Sequence, residues 1–220
     1  MQFIASKTNI PVPRVHCAFV HKGQSYIAME RIRGTTLAWA MADLSDEELD
    51  KILLQLRDII LELRSLPAPG GSIANCMGGS LRDSRITRPE PRFGPFPSTL
   101  LFHNWLRKGL QPHDHPDREN DEDWKDIKWM VKKHDEGFWG EPVFTHADLS
   151  PYNIMIRDGK IVAIIDWDFS GWYPPYWEYT SSFLGNQTRE IWQRMIEKFL
   201  DPWGDELRME TVRQRWWGET

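Results

Sequence analysis

An aspartate–glycine pair between two runs of apolar residues constrains the fold of this chain more than any other feature. Asp158 and Gly159 separate the run Ile-Met-Ile from the run Ile-Val-Ala-Ile. An Asp-Gly pair in this setting is typical of a tight β-hairpin whose two turn residues take positive φ angles. The sequence therefore predicts an antiparallel hairpin, with Asn153 opposite Ile164 and with the outer ends of both strands at the same edge.

Oxygen-bearing side chains flank the predicted hairpin. Asn153 precedes the first strand, Asp166 follows the second, and Asp148 lies shortly before Asn153. Because cross-strand neighbours lie about 5 Å apart, Asn153 and Asp166 can coordinate one small cation. Mg²⁺ prefers oxygen ligands and takes few of them from the protein. We therefore predict a magnesium site at Asn153 and Asp166, with Asp148 orienting or accepting the proton of an attacking hydroxyl.

Two further polar residues accompany this set. We count His146 with Asp148 as a candidate catalytic residue, and we expect it to shape the loop by hydrogen bonding rather than to titrate during turnover. Asp168 is either a second acid near the metal or a structural residue, and we favour the structural role. The alternative for the whole set is an ordinary hairpin with solvated polar ends.

Charge and cysteine content argue against several classes of protein. The formal net charge of -5 argues against a nucleic-acid-binding surface, which would carry a basic stripe. Cys17 and Cys76 lie far apart and outside any paired Cys/His spacing, so they predict neither a disulfide framework nor a zinc site. Apolar runs are too short for a signal peptide or a membrane span. We therefore expect a soluble, cytoplasmic protein, whose acidic regions are compatible with a cationic small molecule.

Local signals place further elements along the chain. Ser45 and Glu48 form a capping-box pattern, after which apolar residues recur at helical spacing. Residues 67–97 are rich in Pro, Gly, Arg and Ser and predict a long surface loop, of the kind that is often functional. Residues 15–20 and 26–30 predict a β-hairpin with an unpaired edge.

The motif around Asp148 resembles the aminoglycoside phosphotransferase (APH) family of small-molecule kinases. Residues 146–153, with the sequence HADLSPYN, are similar to the family's catalytic loop, and Asp166 stands at its magnesium aspartate. Residues 171–174 and 176–179, with the sequences GWYP and YWEY, resemble its fungal branch. The resemblance covers nearly the whole chain, and it implies that Asp148 is the base and that Asn153 and Asp166 are metal ligands.

A second resemblance concerns the nucleotide and the fold. Residues 27–34 resemble the family's hinge, whose backbone contacts adenine, which implies ATP and Mg²⁺ as cofactors. By this resemblance, Met29, Glu30 and Ile32 are cofactor-binding residues. The implied fold is α+β and protein-kinase-like, with residues 1–33 as a remnant of the small N-lobe. Residues 34–220 then form a mainly helical C-lobe that carries the catalytic loop and the metal-binding hairpin.

The chain also departs from the family pattern. In the family, a glycine-rich loop, a strand lysine and a helix glutamate precede the segment that matches the start of this sequence, so we expect a truncated N-lobe. Such preorganised phosphate contacts are worth orders of magnitude in rate. Tyr152 and Pro175 replace residues that we expect to be charged, and this difference concerns the substrate contacts.

Three functions are compatible with the sequence. The first is an ATP- and Mg²⁺-dependent phosphotransferase acting on a small-molecule hydroxyl, impaired by the loss of the glycine-rich loop and lysine. The second is a repurposed, non-kinase enzyme of a fungal biosynthetic pathway that keeps the acid-lined cleft. The third is a pseudokinase-like binding module, in which the exposed hairpin edge recruits a second copy, as a homodimer, or another partner chain.

Overall fold

The computed structural model describes residues 1–118, 121–185 and 190–218. The helices in these ranges are α1 (Gln2–Lys7), α2 (Leu37–Ala40), α3 (Asp46–Arg64), α4 (Thr99–Leu106), α5 (Glu122–Glu136), α6 (Trp177–Leu184), α7 (Glu190–Phe199) and α8 (Gly204–Trp217). The strands are β1 (Val15–His21), β2 (Gln24–Met29), β3 (Thr35–Thr36), β4 (Val143–Thr145), β5 (Ile154–Arg157), β6 (Lys160–Ile164) and β7 (Gly171–Tyr173). This mixture of helices and small antiparallel sheets confirms the predicted α+β class.

The hairpin predicted at the aspartate–glycine pair is present as β5 and β6. Asp158 and Gly159 have φ angles of 50° and 71°, as the tight turn requires. The predicted register is wrong by one residue, because Ile164 pairs with Ile154 rather than with Asn153. The cause is an irregularity that leaves Val162 without a paired residue, so every pair beyond it moves along by one.

Helix α3 organises the larger core. The predicted capping box is confirmed, since the Ser45 amide donates to Glu48 Oε2 at 2.9 Å and the Glu48 amide donates to Ser45 Oγ at 3.3 Å. The apolar side of α3 faces inward and packs against α7, β4 and β6. Ile4 and Ile10 join the same core, so the segment before β1 packs against the helical body.

The aromatic residues near the hairpin are buried in the two hydrophobic cores. Trp167 and Trp172 belong to the core around α3, whereas Tyr173 and Trp177 lie in a second core beside α4, α5 and α8. The Tyr173 and Trp177 rings stack with their centroids 5.3 Å apart. These four aromatics therefore stabilise the packing around the hairpin.

The long loop after α3 docks onto β7 instead of crossing the surface freely, which corrects the sequence-based expectation. Ala74 pairs with Trp172, and Leu81 pairs with Phe93 inside the loop. Gly171 permits this contact, because a Cβ atom there would lie 2.6 Å from the main-chain oxygen of Ala74. The loop is therefore held beside the strand that follows the β5–β6 hairpin.

The predicted β1–β2 hairpin is confirmed and is largely exposed. Its strands pair antiparallel, and in the described ranges no third strand joins them. Nearly every side chain in both strands is exposed. Among the helices of the described residues, none is both long and apolar enough to cross a membrane.

Candidate active site

The loop between β4 and β5 brings Asp148 and Asn153 into direct contact. Asn153 Nδ2 donates to the main-chain oxygen of Asp148 at 2.8 Å and to Asp148 Oδ2 at 3.0 Å. Both hydrogen bonds use the amide nitrogen, so the amide oxygen of Asn153 is left to act as a ligand or acceptor. The Asp148 carboxylate is thereby fixed beside a potential metal ligand.

Asp166 lies at the same end of the hairpin. The Ile165 amide donates to the main-chain oxygen of Asn153 at 2.9 Å. Asp166 therefore lies next to the contact between Asn153 and Asp148. Asp166 has a φ of 63°, a left-handed conformation that is uncommon for residues other than glycine. Backbone strain of this kind concentrates at functional sites. The structure thus brings together the three residues Asp148, Asn153 and Asp166.

The environment of Asp148 changes its proton affinity. Burial raises the pKa of Asp148 to about 6, and the charge of Asp166 acts in the same direction, while the hydrogen bond from Asn153 opposes both. A carboxylate with a pKa closer to neutrality is a better proton acceptor than an ordinary aspartate. This is the property expected of a general base for a hydroxyl.

His146 holds the loop from inside the protein. Its Nε2 lies 2.9 Å from the main-chain oxygen of Ile165, and its Nδ1 lies 3.3 Å from the amide nitrogen of Asp148. Burial lowers the pKa of His146 to about 4, so the ring is neutral and donates at Nε2 while accepting at Nδ1. His146 therefore connects the loop before Asp148 to the strand end before Asp166.

Glu178 is a site residue that the sequence reasoning did not single out. From α6, its carboxylate accepts hydrogen bonds from the amides of His146 at 2.6 Å and Ala147 at 3.0 Å. Burial raises the pKa of Glu178 to about 7, which the two amide donors and the charge of Arg64 oppose. A single charged residue in a helix that is otherwise uncharged was the signal available in the sequence.

The donor set suits Mg²⁺ better than a metal that requires many protein ligands. Throughout the described ranges, no group of three or more His, Cys, Asp or Glu side chains is arranged to hold a metal ion. Mg²⁺ is commonly held by one or two protein oxygens, with water and substrate phosphate completing its shell. Asn153 and Asp166 fit this requirement.

A cavity of about 740 Å³ lies beside Asp166. It is lined by the three residues predicted to bind a nucleotide, Met29, Glu30 and Ile32, together with Asp166. The remaining wall is mostly apolar and comes from both hairpins and their flanks: Met1, Pro13, Ile27, Met155, Ile165, Trp167 and Asp168. An apolar cavity with a few polar groups is the usual form of a small-molecule site.

Asp168 lies in the same cavity wall and pairs with Arg82. Arg82 Nη1 is 3.1 Å from Asp168 Oδ2, and about half of each side chain is exposed. The choice between a structural role and a second acid near the metal stays a prediction for Asp168, for which we favoured the structural role. Its position two residues after Asp166 also keeps it beside the predicted metal site.

Comparison with known proteins identifies the family of this arrangement. Residues 1–213 match APH, the phosphotransferase enzyme family. No curated protein matches the chain. A thermostable mutant of aminoglycoside phosphotransferase APH(4)-Ia, in its apo form, is 18% identical with a TM-score of 0.60, over 96% of this chain and 71% of that one.

Two ligand complexes share the fold. A thermostable mutant of APH(4)-Ia with ADP and hygromycin B is 17% identical with a TM-score of 0.58, over 96% of this chain and 70% of that one. The gentamicin complex of APH(2'')-IIa is 15% identical with a TM-score of 0.53, over 97% of this chain and 67% of that one. These similarities confirm the predicted kinase-like fold. By the match over residues 1–213, the chain belongs to the APH phosphotransferase enzyme family.

Proposed function

We propose that the protein transfers the γ-phosphoryl group of ATP, with Mg²⁺, to a hydroxyl group of a small molecule. The contact of Asn153 with both the main chain and the carboxylate of Asp148, at the hairpin end that carries Asp166, is the observation behind this proposal. Family membership supports a phosphotransferase role. The complexes of related folds with ADP and hygromycin B, and with gentamicin, support a nucleotide and a small-molecule acceptor.

In this proposal, Asp148 is the general base. Its carboxylate accepts the hydroxyl proton as the substrate oxygen bonds to the γ-phosphorus, while the bond between the γ-phosphorus and the bridging oxygen breaks and ADP leaves. Asn153 and Asp166 would hold Mg²⁺, which supplies charge neutralisation at the phosphate oxygens when it is bound. His146 and Glu178 are positioning residues, because their contacts are with the loop backbone.

The nucleotide base is proposed to bind at the cavity wall formed by the end of β2 and the residues after it. Met29, Glu30 and Ile32 follow or end β2 and would meet the adenine ring. Met155 and Ile165 line the same cavity from the β5–β6 hairpin. Apolar side chains on both walls suit a planar base, whose edge then needs only a few hydrogen bonds.

Finer assignments are also proposals. We propose the division into residues 1–33, as the small lobe, and residues 34–220, as the helical lobe, with the cavity between them. The sequences GWYP and YWEY support an origin in the fungal branch of the family. The two free cysteines, Cys17 and Cys76, support a cytoplasmic location because reduced thiols are usual there.

The experiment that tests the phosphotransferase proposal is transfer of radiolabelled phosphate from γ-labelled ATP to a panel of hydroxyl-bearing small molecules, aminoglycosides included. The test variant is Asp148→Asn, and Asp158→Asn is the matched control at the distant turn of the same hairpin. We expect transfer by the wild type and the control, and a loss of roughly 10²–10⁴-fold in Asp148→Asn. Transfer by Asp148→Asn at the wild-type rate would refute the role of Asp148.

A second candidate function, association through the β1–β2 hairpin, rests on a separate observation. Phe19, Val20 and Tyr26 are 53%, 72% and 42% exposed, on strands whose outer edges are unpaired within the described ranges. Such edges can pair with another chain, and we propose a second copy as the partner. Sedimentation velocity should then give a dimer that Val20→Lys weakens, whereas a strictly monomeric wild type would contradict this candidate.

A further inference from the structure

We propose that Arg82 is a phosphate-binding residue, which exchanges its contact with Asp168 for the phosphate chain of a nucleotide in the neighbouring cavity. This inference rests on the proposed phosphotransferase function and names a residue that neither the catalytic loop nor the hinge contains. Arg82 belongs to the long loop between α3 and α4, to which the sequence analysis assigned no site.

The charge of the cavity wall gives the first reason. Three acidic residues, Glu30, Asp166 and Asp168, line the cavity, whereas none of its lining residues in the described ranges is lysine or arginine. A nucleotide phosphate chain brings further negative charge into this wall. One Mg²⁺ ion offsets only part of it, so a nearby cationic side chain is needed for tight binding.

The position of Arg82 gives the second reason. Its guanidinium Nη1 is 3.1 Å from Asp168 Oδ2, and Asp168 is itself part of the cavity wall. The guanidinium carbon also lies 5.8 Å from the centre of the Phe169 ring. Because the Arg82 side chain is 49% exposed, its remaining N–H groups are free to turn toward a ligand.

The backbone around Arg82 is fixed although its side chain is not. On one side, Leu81 is buried and pairs with Phe93. On the other side, the buried carboxylate of Asp83 accepts hydrogen bonds from Trp177 Nε1 at 3.1 Å and from Arg85. Arg82 is thus presented from a rigid segment, which reduces the entropy lost when it binds a ligand.

The nature of the ion pair gives the third reason. Exposed ion pairs contribute little to stability, so Arg82 can leave Asp168 at small cost. Arginine also binds phosphate well, because its planar N–H groups match two phosphate oxygens at once. The neighbouring Arg85 is not available for this role, since it is buried and forms two side-chain hydrogen bonds with Asp83.

The test compares the affinities for Mg·ATP and for adenosine, which lacks phosphates, by titration calorimetry. The variants are Arg82→Ala, Arg82→Lys and the control Arg57→Ala, which removes an arginine paired with Asp201. Arg82→Ala should weaken Mg·ATP binding by about 10–100-fold and leave adenosine affinity unchanged, because charged hydrogen bonds to phosphate are lost. Arg82→Lys should fall between the wild type and Arg82→Ala, and Arg57→Ala should match the wild type.

The outcomes separate this inference from the proposed function. A wild type that binds neither ligand would refute the proposed nucleotide site, and the role of Arg82 with it. The role of Arg82 alone would be refuted if the wild type binds Mg·ATP and Arg82→Ala has the same ratio of Mg·ATP affinity to adenosine affinity as the wild type. An equal loss of ATP affinity in Arg57→Ala would also refute it, because the effect would then be general.

Discussion

A single buried carboxylate determines the conformation of the loop before Asp148. Glu178 accepts hydrogen bonds from the amides of His146 and Ala147, and Ala147 has a φ of 66°. A left-handed conformation costs roughly 1–3 kcal/mol at a residue other than glycine. The two hydrogen bonds to Glu178 offset this cost. Glu178 is therefore expected to maintain the geometry of the catalytic loop without contacting the substrate.

The variant Glu178→Gln tests this role. A glutamine can accept a hydrogen bond from only one of the two amides, through its oxygen. Its NH₂ group then faces the other amide, and two donors cannot form a hydrogen bond. We expect the free energy of unfolding to fall by about 2 kcal/mol, measured by urea denaturation. Glu190→Gln is the control, because Glu190 is an exposed glutamate and its change should stay within about 0.5 kcal/mol. Equal stabilities of the two variants would contradict the account.

At the scale of elements, the packing of the long loop against β7 depends on a glycine. A Cβ atom on Gly171 would lie 2.6 Å from the main-chain oxygen of Ala74, and the pairing of Ala74 with Trp172 prevents that oxygen from moving away. This contact holds the segment that carries Arg82 and Asp83 beside the site. The loop and the hairpin are thus coupled through β7.

The variant Gly171→Ala should therefore destabilise the protein by about 1–3 kcal/mol, as expected for overpacking in a tight contact. Gly204→Ala is the matched control, since a Cβ atom there meets nothing within 4 Å. Thermal unfolding followed by circular dichroism measures both. A Gly171→Ala protein as stable as the Gly204→Ala protein would show that the loop does not pack closely on β7.

The elements that the sequence predicted are those with local signals. Ser45 with Glu48, and Asp158 with Gly159, act within a few residues of each other, so their structures follow from short-range hydrogen bonding and turn geometry. The register of β5 and β6 was missed because the irregularity at Val162 has no clear local signature. Identification of the three residues at the hairpin end depended on their spacing and on the resemblance of residues 146–153 to the family's catalytic loop.

Long-range contacts explain what the sequence did not reveal. The amide of His146 and the carboxylate of Glu178 are 32 positions apart, and the pairing of Arg82 with Asp168 spans 86 positions. Spacing cannot predict such contacts, because they depend on how helices and loops dock. The long loop was accordingly expected to run over the surface, whereas its bridge to Trp172 holds it against β7.

At the scale of the whole molecule, a buried histidine pair makes the second core sensitive to acid. The His103 and His134 rings stack at a centroid distance of 4.4 Å between α4 and α5. Burial lowers the pKa of His103 from 6.5 to about 3, and it lowers the pKa of His134 well below 6.5. Below pH 6.5 the unfolded chain therefore binds protons that the folded chain does not.

The contribution of these two histidines to stability is consequently expected to fall as the pH drops from about 6.5 toward 3, by up to about 1.4 kcal/mol per pH unit for each histidine. The variant His134→Phe should reduce this slope, because both ring nitrogens of His134 lack a hydrogen-bond partner among the described residues. Urea denaturation at neutral and mildly acidic pH measures the slope. The exposed His113→Gln control should leave it unchanged, and an unchanged slope in His134→Phe would contradict the account.

We propose that Asn153 and Asp166 hold Mg²⁺ for a nucleotide that binds beside Asp148. Titration calorimetry of ATP with and without Mg²⁺ examines this proposal in the wild type, in Asp166→Ala and in the hairpin-turn control Asp158→Asn. We expect Mg²⁺ to strengthen ATP binding in the wild type and in the control, and we expect Asp166→Ala to remove this gain. ATP binding that is absent at millimolar concentration, or that is the same with and without Mg²⁺, would contradict it.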